Sequence, residues 1–294
     1  MGVRVHVKFE ALFEGRADAY GLVQGRACRE PLTPARFSEH LNGDVPIGVY
    51  PMVNDMTHWG CSDIDQGVDM LVLATNLVAA LDVLGIASYI ERSKGKGYHV
   101  WVFLGDDVWI AAADMRRAIL VAHQLAGVPP REVNPKQESL RADQLGNYVN
   151  LPFPRGYMEV GRRVILDPLD QEPLSLQRFL STVKVNDPAV ISRVAALYKE
   201  PPKPTIAATG VVTLDKAITT RLGGLAWKIF SEGPLPGKPR GTTMVQLAHE
   251  CAACGLTEGE ALAIITDFDD RFEKFVGRPD RERYLLDIVA RGYA

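Results

Sequence analysis

Residues 199–210, KEPPKPTIAATG, place three prolines in four positions among small and polar neighbours. No helix or central strand runs through such a segment. Proline donates no backbone hydrogen bond and pushes the residue before it into extended backbone. The composition predicts an extended linker that divides the chain. Before it, short strand-like and helix-like segments alternate; after it, every periodic segment is helical. Two domains are expected, residues 1–198 of α+β class and residues 211–294 all-α, joined by 199–210. A length of 294 residues accommodates this division. No internal repeat or low-complexity tract interrupts it.

Within the first part, Thr33 and Pro34 of TPARFSEHL suit the N-cap and first turn of a helix. IGVYPM and THWGCSDID are strand candidates. VDMLVLATNLVAALDVLG has helical spacing and stops at Gly85. IASYIERS reads as a strand entering SKGKG, and YHVWVFL as the strand leaving it. That connection is too short for a parallel crossover, so the pair is an antiparallel hairpin. A helix over IAAADMRRAILVAHQLAG, a strand through REVNPKQ and a strand and turn at GNYVNLPF follow.

Hydrophobic residues make up 47% and charged residues 23%, ordinary for a globular protein and contrary to disorder. No apolar run approaches the roughly 20 residues of a membrane span. The charged opening MGVRVHVKFEALFEGR is not a secretory signal, so a cytoplasmic protein is expected. The net charge of −3 gives no global attraction to nucleic acid, so a nucleic-acid enzyme would have to concentrate its cations locally. Of the four cysteines, Cys251 and Cys254 form a CxxC with only His249 nearby, short of the four ligands of a zinc site. Small core cysteines are the simpler reading.

Asp63-Ile64-Asp65 carries the first chemical signal. In a strand, residues i and i+2 share a face, so both carboxylates stand together while Ile64 anchors the other face. Paired hard oxygen donors suit magnesium or manganese. Alone, such a triplet also fits a turn or a solvated edge. The second signal is Ser93-Lys94-Gly95-Lys96-Gly97-Tyr98-His99. Glycines let backbone N–H groups approach a phosphate, while Arg92, Ser93, Lys94 and Lys96 add donors or positive charge. His99 opens the next strand with a ring that can donate to a phosphate oxygen. An ordinary glycine-rich hairpin with a satisfied core histidine is the alternative. Glu132 in REVNPKQ is a candidate third acidic ligand; Glu138 and Asp143 in QESLRADQ are its rivals.

In this order, CSDID, RSKGKGYHVWVF and REVNPKQ resemble the archaeo-eukaryotic primase superfamily. Its pattern is a strand with two aspartates, a Ser/Gly turn ending in His, and a third acidic strand position. IGVYPMVND before the first motif, NPKQ after the third, and GNYVNLP are similar to primases and primase-polymerases of phages and mobile elements. LTPARFSEHLNG resembles their lead-in helix. The resemblance spans about residues 20–165. GKPRGTTMVQLAHECAACGLTEGEALAIITDFDDRF resembles the small helical domain that follows many such catalytic domains.

The resemblance implies a catalytic core with a module related to the RNA-recognition fold, an extra α/β unit, and then a small all-α domain. It implies two-metal nucleotidyl transfer, with Asp63, Asp65 and Glu132 holding two Mg²⁺ or Mn²⁺ ions. Arg92, Ser93, Lys94, Lys96 and His99 would bind the triphosphate. Lys136 or Gln137 would reach the nucleotide or template, with Asn147 in support, and Arg240 would serve initiation. The implied partners are a single-stranded DNA template and primer, ribo- or deoxyribonucleoside triphosphates, and a helicase on a separate chain. The sequence leaves rivals open: a polymerase that only extends or repairs ends, a non-catalytic nucleic-acid binder, and a metal-dependent nuclease using the same carboxylates.

Overall fold

The computed structural model describes residues 3–22, 25–65, 69–141, 143–200 and 212–293. Contacts divide the chain into two compact units, Met1–Lys199 and Glu200–Ala294. The proline-rich residues 201–210 lie outside the described residues.

The first unit opens with α1 (Val3–Leu12), the hairpin β1 (Tyr20–Leu22) and β2 (Arg26–Cys28), α2 (Pro34–Asn42) and β3 (Ile47–Val49). A small hairpin, β4 (Met52–Val53) and β5 (Met56–Thr57), leads to β6 (Trp59–Ile64) and α3 (Met70–Val83). Next come the hairpin β7 (Tyr89–Arg92) and β8 (Tyr98–Phe103), then β9 (Ile110–Ala111), α4 (Ala112–Ala126) and β10 (Glu132–Asn134). β11 (Val149–Asn150), α5 (Arg155–Met158), β12 (Val164–Ile165), α6 (Leu176–Thr182) and α7 (Pro188–Ala195) complete it. Pro34 stands in the first turn of α2, but Thr33 makes no side-chain capping bond.

The described residues form three sheets, in the strand orders β11-β3-β1-β2, β10-β6-β8-β7-β12 and β4-β5-β9. Alternation assigns the two faces of the five-stranded sheet. Ile64, Val100, Val102 and Val133 pack with Leu77 and Leu81 of α3 and Met115 and Ile119 of α4. Gly60 makes this close: a Cβ there would lie 2.6 Å from Ile119 Cδ1 and 2.7 Å from Met115 Cγ. On the opposite face, Trp59, Cys61, Trp101 and Phe103 join Phe9, Phe13, Phe153 and Phe179 and the strand residues Ile47 and Val49. The sheet therefore lies between two cores.

The smaller four-stranded sheet is organised around one ring. A Cβ at Gly21 or Gly48 would come within 2.3 or 2.5 Å of the Tyr148 ring, whose hydroxyl donates to Leu22 O at 2.8 Å. Glycine at these positions gives the ring its seat. Tyr148 also meets Tyr50 edge to face, with centroids 5.4 Å apart. These contacts join GVYP to GNY across about a hundred residues of chain.

The described residues of the second unit form α8 (Lys216–Thr219), α9 (Gly224–Glu232), α10 (Arg240–Ala253), α11 (Glu258–Phe272) and α12 (Arg281–Tyr293). Thr257 and Glu260 close a reciprocal capping box at the start of α11. Gly292 lets α12 approach α10, since a Cβ there would lie 2.5 Å from Ala248 Cβ. Cys251 is buried in this core, and burial pushes its thiol up to about 12. Among the described residues, no helix is long and apolar enough to cross a membrane.

Candidate active site

The hairpin register brings the polar residues together. In β6, Asp63 stands opposite His99 of β8 on one side and opposite Glu132 of β10 on the other. His99 in turn stands opposite Glu91 of β7. Directly opposed residues of an antiparallel pair share a face. Glu132, Asp63, His99 and Glu91 thus form one row across four strands, at the end of the face that carries Trp59, Cys61 and Trp101. Ile64 points the other way and is buried. Asp65, exposed, follows the last residue of β6.

Exposure falls along the row. The Asp63 side chain is 33% accessible, that of His99 14% and that of Glu91 0%. His99 Nδ1 lies 2.8 Å from Glu91 Oε2, and its Nε2 lies 3.8 Å from Asp63 Oδ1. Trp101 Nε1 donates to the same Glu91 oxygen at 2.6 Å. Burial pulls the His99 imidazole down, but the Glu91 charge and hydrogen bond and the Asp63 charge outweigh it, so its pKa is raised. The Asp63 carboxyl is pushed up by burial, pulled back by His99, and raised further by Asp65, Glu132 and Glu91. Such crowding of carboxylates favours a cation among them.

The basic turn is fixed beside this row. Ser93 N donates to Gly97 O at 3.1 Å, closing the hairpin, and Gly95 N lies 3.4 Å from Ser93 Oγ. A Cβ on Gly97 would fall 2.7 Å from Ile64 O and 3.0 Å from Asp65 Cα, so the turn rests against the end of β6. Lys94 and Lys96 project into solvent. Arg92 donates to Gly161 O at 3.3 Å, and Arg162 donates to Gly95 O.

On the far side of the row, Lys136 Nζ lies 3.2 Å from Glu132 Oε2. Gln137 Nε2 donates to Asn147 Oδ1 at 3.0 Å, so NPKQ and GNY meet. The rival carboxylates face other partners: Glu138 pairs with Arg117 at 2.8 Å and Asp143 with Arg141 at 3.6 Å. Arg240, in the second unit, uses Nη1 to bind Phe272 O and Glu273 O at the end of α11, the latter at 3.2 Å. Its other guanidinium nitrogens make no hydrogen bond among the described residues.

Glu91, Arg162 and Arg163 were not singled out in the sequence. Arg163 is buried, donates to Ile47 O and Leu151 O, and feels the charge of Glu91. A signal for Glu91 exists: counting outward from a turn over Ser93–Gly97 pairs Arg92 with Tyr98 and Glu91 with His99. No comparable pattern marks Arg163, whose burial depends on both sheets.

A layered antiparallel fold thus carries this row beside a basic glycine turn. A family model described as the archaeo-eukaryotic primase domain of the TOTE conflict system matches residues 22–194, more than half of the chain. The chain belongs to the archaeo-eukaryotic primase superfamily. None of the curated proteins matches it.

Proposed function

We propose that this protein is a DNA primase or primase-polymerase, making primers on single-stranded DNA from ribo- or deoxyribonucleoside triphosphates. The observation that carries the reading is the register of Glu132, Asp63 and His99 on three paired strands, with Asp65 against the Gly97 turn. In this reading residues 1–198 are the catalytic domain, with its central sheet as the RNA-recognition-like module, and residues 211–294 are a helical primase domain joined through 199–210.

Asp63, Asp65 and Glu132 offer oxygen donors of the hardness that Mg²⁺ or Mn²⁺ requires; burial does most to raise the Asp63 pKa, and the neighbouring carboxylates add a repulsion that a cation would relieve. Among the described residues no three acidic, His or Cys side chains stand close enough to hold one ion as they are. The carboxylate of Glu132 is turned to Lys136 and would have to leave it. Two bound divalent ions would supply acidity to an attacking 3′-hydroxyl and charge balance to departing pyrophosphate. The protein's own part is positioning and charge. Arg92, Ser93, Lys94, Lys96 and His99 hold the triphosphate along the turn and the row. Lys136 and Gln137, with Asn147 behind Gln137, hold the nucleotide or template on the opposite side.

The test is a primer-free assay on single-stranded DNA, with labelled ribo- and deoxyribonucleotides supplied separately. The wild-type chain makes short products. Asp63→Ala with Asp65→Ala lowers synthesis by at least about a hundredfold and leaves the melting midpoint no lower, because like-charge repulsion is removed along with the ligands. Near-normal synthesis by the double variant would end this proposal.

A further inference from the structure

Three segments outside the carboxylate row converge on one hollow. Tyr50 of GVYP, Gln137 of NPKQ and Gly146 of GNY line it, together with Arg29, Leu140 and Leu145. Its volume is about 490 Å³, within the range of small-ligand sites, and it opens to solvent. Gln137 lies five residues beyond Glu132 in the chain. Their Cα atoms are therefore at most roughly 18 Å apart. Lys136, between them, touches the Glu132 carboxylate. Through Gln137 the hollow is tethered within roughly 18 Å of Glu132, and none of the row's carboxylates lines it.

Its walls combine three chemistries. Leu140 and Leu145 give an apolar surface, and Tyr50, buried but for 3% of its surface, contributes a small aromatic part of the floor. Gln137 has a buried amide oxygen without a hydrogen-bond partner, while its Nε2 donates to Asn147 Oδ1. Arg29 is exposed and makes no ion pair among the described residues. Of the carboxylates near it, Glu30 pairs with Arg36 and Asp143, which also lines the hollow, with Arg141; Asp18 pairs with Arg16 and feels the Arg29 charge without pairing to it. Arg29 lies close enough to the Tyr50 hydroxyl for its charge to act on it. An apolar, partly aromatic surface, an amide and one uncommitted guanidinium suit a nucleobase with an attached phosphate.

The charge selects between two sources of that chemistry. A free nucleoside triphosphate carries several negative charges and needs several cations, and those are gathered at the Ser93–Gly97 turn. One free guanidinium matches the single charge of a phosphodiester. We propose that this hollow seats one nucleotide of a single-stranded nucleic acid, with Arg29 on its phosphate and Tyr50 and Gln137 against its base. The proposal deepens the primase reading by giving the template strand a path beside Glu132.

The experiment uses the full chain and needs no catalysis. Fluorescence anisotropy measures binding of labelled oligo-dT and oligo-U across a salt series, and of a fluorescent nucleoside triphosphate analogue. Arg29→Gln lowers strand affinity roughly three- to tenfold and reduces the salt slope by about 0.7, the value for one lost phosphate contact on a single strand. Arg29→Lys restores the slope, and analogue affinity is unchanged in both variants. The two oligonucleotides tell whether DNA or RNA is the better strand. Unchanged strand affinity and slope in Arg29→Gln overturn the proposal. Loss of analogue binding with unchanged strand binding also overturns it and makes the hollow a free-nucleotide site. If strand binding depends on Arg29 but the Asp63→Ala, Asp65→Ala protein still synthesises, the catalytic reading fails alone. If the Asp variant is dead and Arg29 is irrelevant to strands, only the hollow fails.

Discussion

His99 lies between two carboxylates that address different atoms of its ring. Glu91 takes Nδ1 in a dry setting, leaving Nε2 toward Asp63 and the accessible end of the row. Replacing His99 by Ala is expected to raise the nucleotide KM about tenfold or more while template affinity stays within about twofold. Glu91→Leu, which removes the acceptor and keeps the bulk, is expected to follow His99→Ala. Glu91→Gln keeps an oxygen for both Nδ1 and Trp101 Nε1 and is expected to stay near wild type. Nucleotide and template titrations on the three variants check this; a collapse of template affinity alone would put His99 in another pocket. Asp63, Asp65 and His99 were legible because each belongs to a local pattern, a triplet or a turn. For Glu91 the turn marks its pairing with His99, but not its burial, because a charged residue in a short apolar strand carries no mark of being buried. Only the pairing with His99 and Trp101 gives it a role.

At the level of elements, the β7–β8 hairpin is paired to β6 along β8, and Gly97 is where its turn rests on the end of β6. Gly97→Ala places a Cβ 2.7 Å from Ile64 O, a backbone atom that cannot swing aside. The expected cost is about 1–3 kcal/mol in urea unfolding. Displacement of the turn from Asp65 should weaken nucleotide binding as well. Gly95, two residues earlier, has nothing within 4 Å of a built Cβ. Gly95→Ala should therefore change stability by no more than about 0.5 kcal/mol. Equal effects at both positions would mean that loop freedom, rather than this contact, is what glycine provides. The sequence identified the hairpin and both flanking strands. It did not distinguish the two glycines, because steric room depends on β6, some thirty residues away.

For the molecule as a whole, acid stability depends on a buried histidine. His40 is fully enclosed, with Nε2 2.8 Å from Pro152 O and Nδ1 accepting from Ile47 N at 3.1 Å. Burial, with the Arg163 charge added, pulls its pKa down from the ordinary 6.5 to about 3, against the Pro152 hydrogen bond. Above pH 6.5 both folded and unfolded states are neutral here and the group contributes no pH dependence. Below it, the unfolded chain takes up a proton that the folded chain refuses. Stability then falls by about 1.4 kcal/mol per pH unit down toward pH 3. Urea midpoints between pH 7 and 4.5 should follow this trend, and His40→Gln should flatten it; parallel slopes would reject the assignment. The second unit gives a separate prediction. A chain ending at Ala208 should still extend primers but start strands poorly, since a long duplex supplies its own grip and a short product does not. Arg240, with guanidinium nitrogens left over from capping α11, is available to hold an anion in that step. Equal initiation by the shortened and full-length chains on unprimed DNA would remove the second unit from synthesis.

The sequence by itself determined the alternation of elements before the prolines, the helices after them, the aspartate pair, the basic turn and the histidine. Each is written in local spacing, where strand period, helix period and turn chemistry act over a few residues. Tertiary structure decided what those spacings leave open. It set Glu132 rather than Glu138 or Asp143 opposite Asp63, through the β6–β10 register. It buried Glu91 and Arg163, and it gathered Tyr50, Gln137 and Gly146 around one hollow. Register and burial arise from contacts between segments far apart in the chain, so no local window contains them.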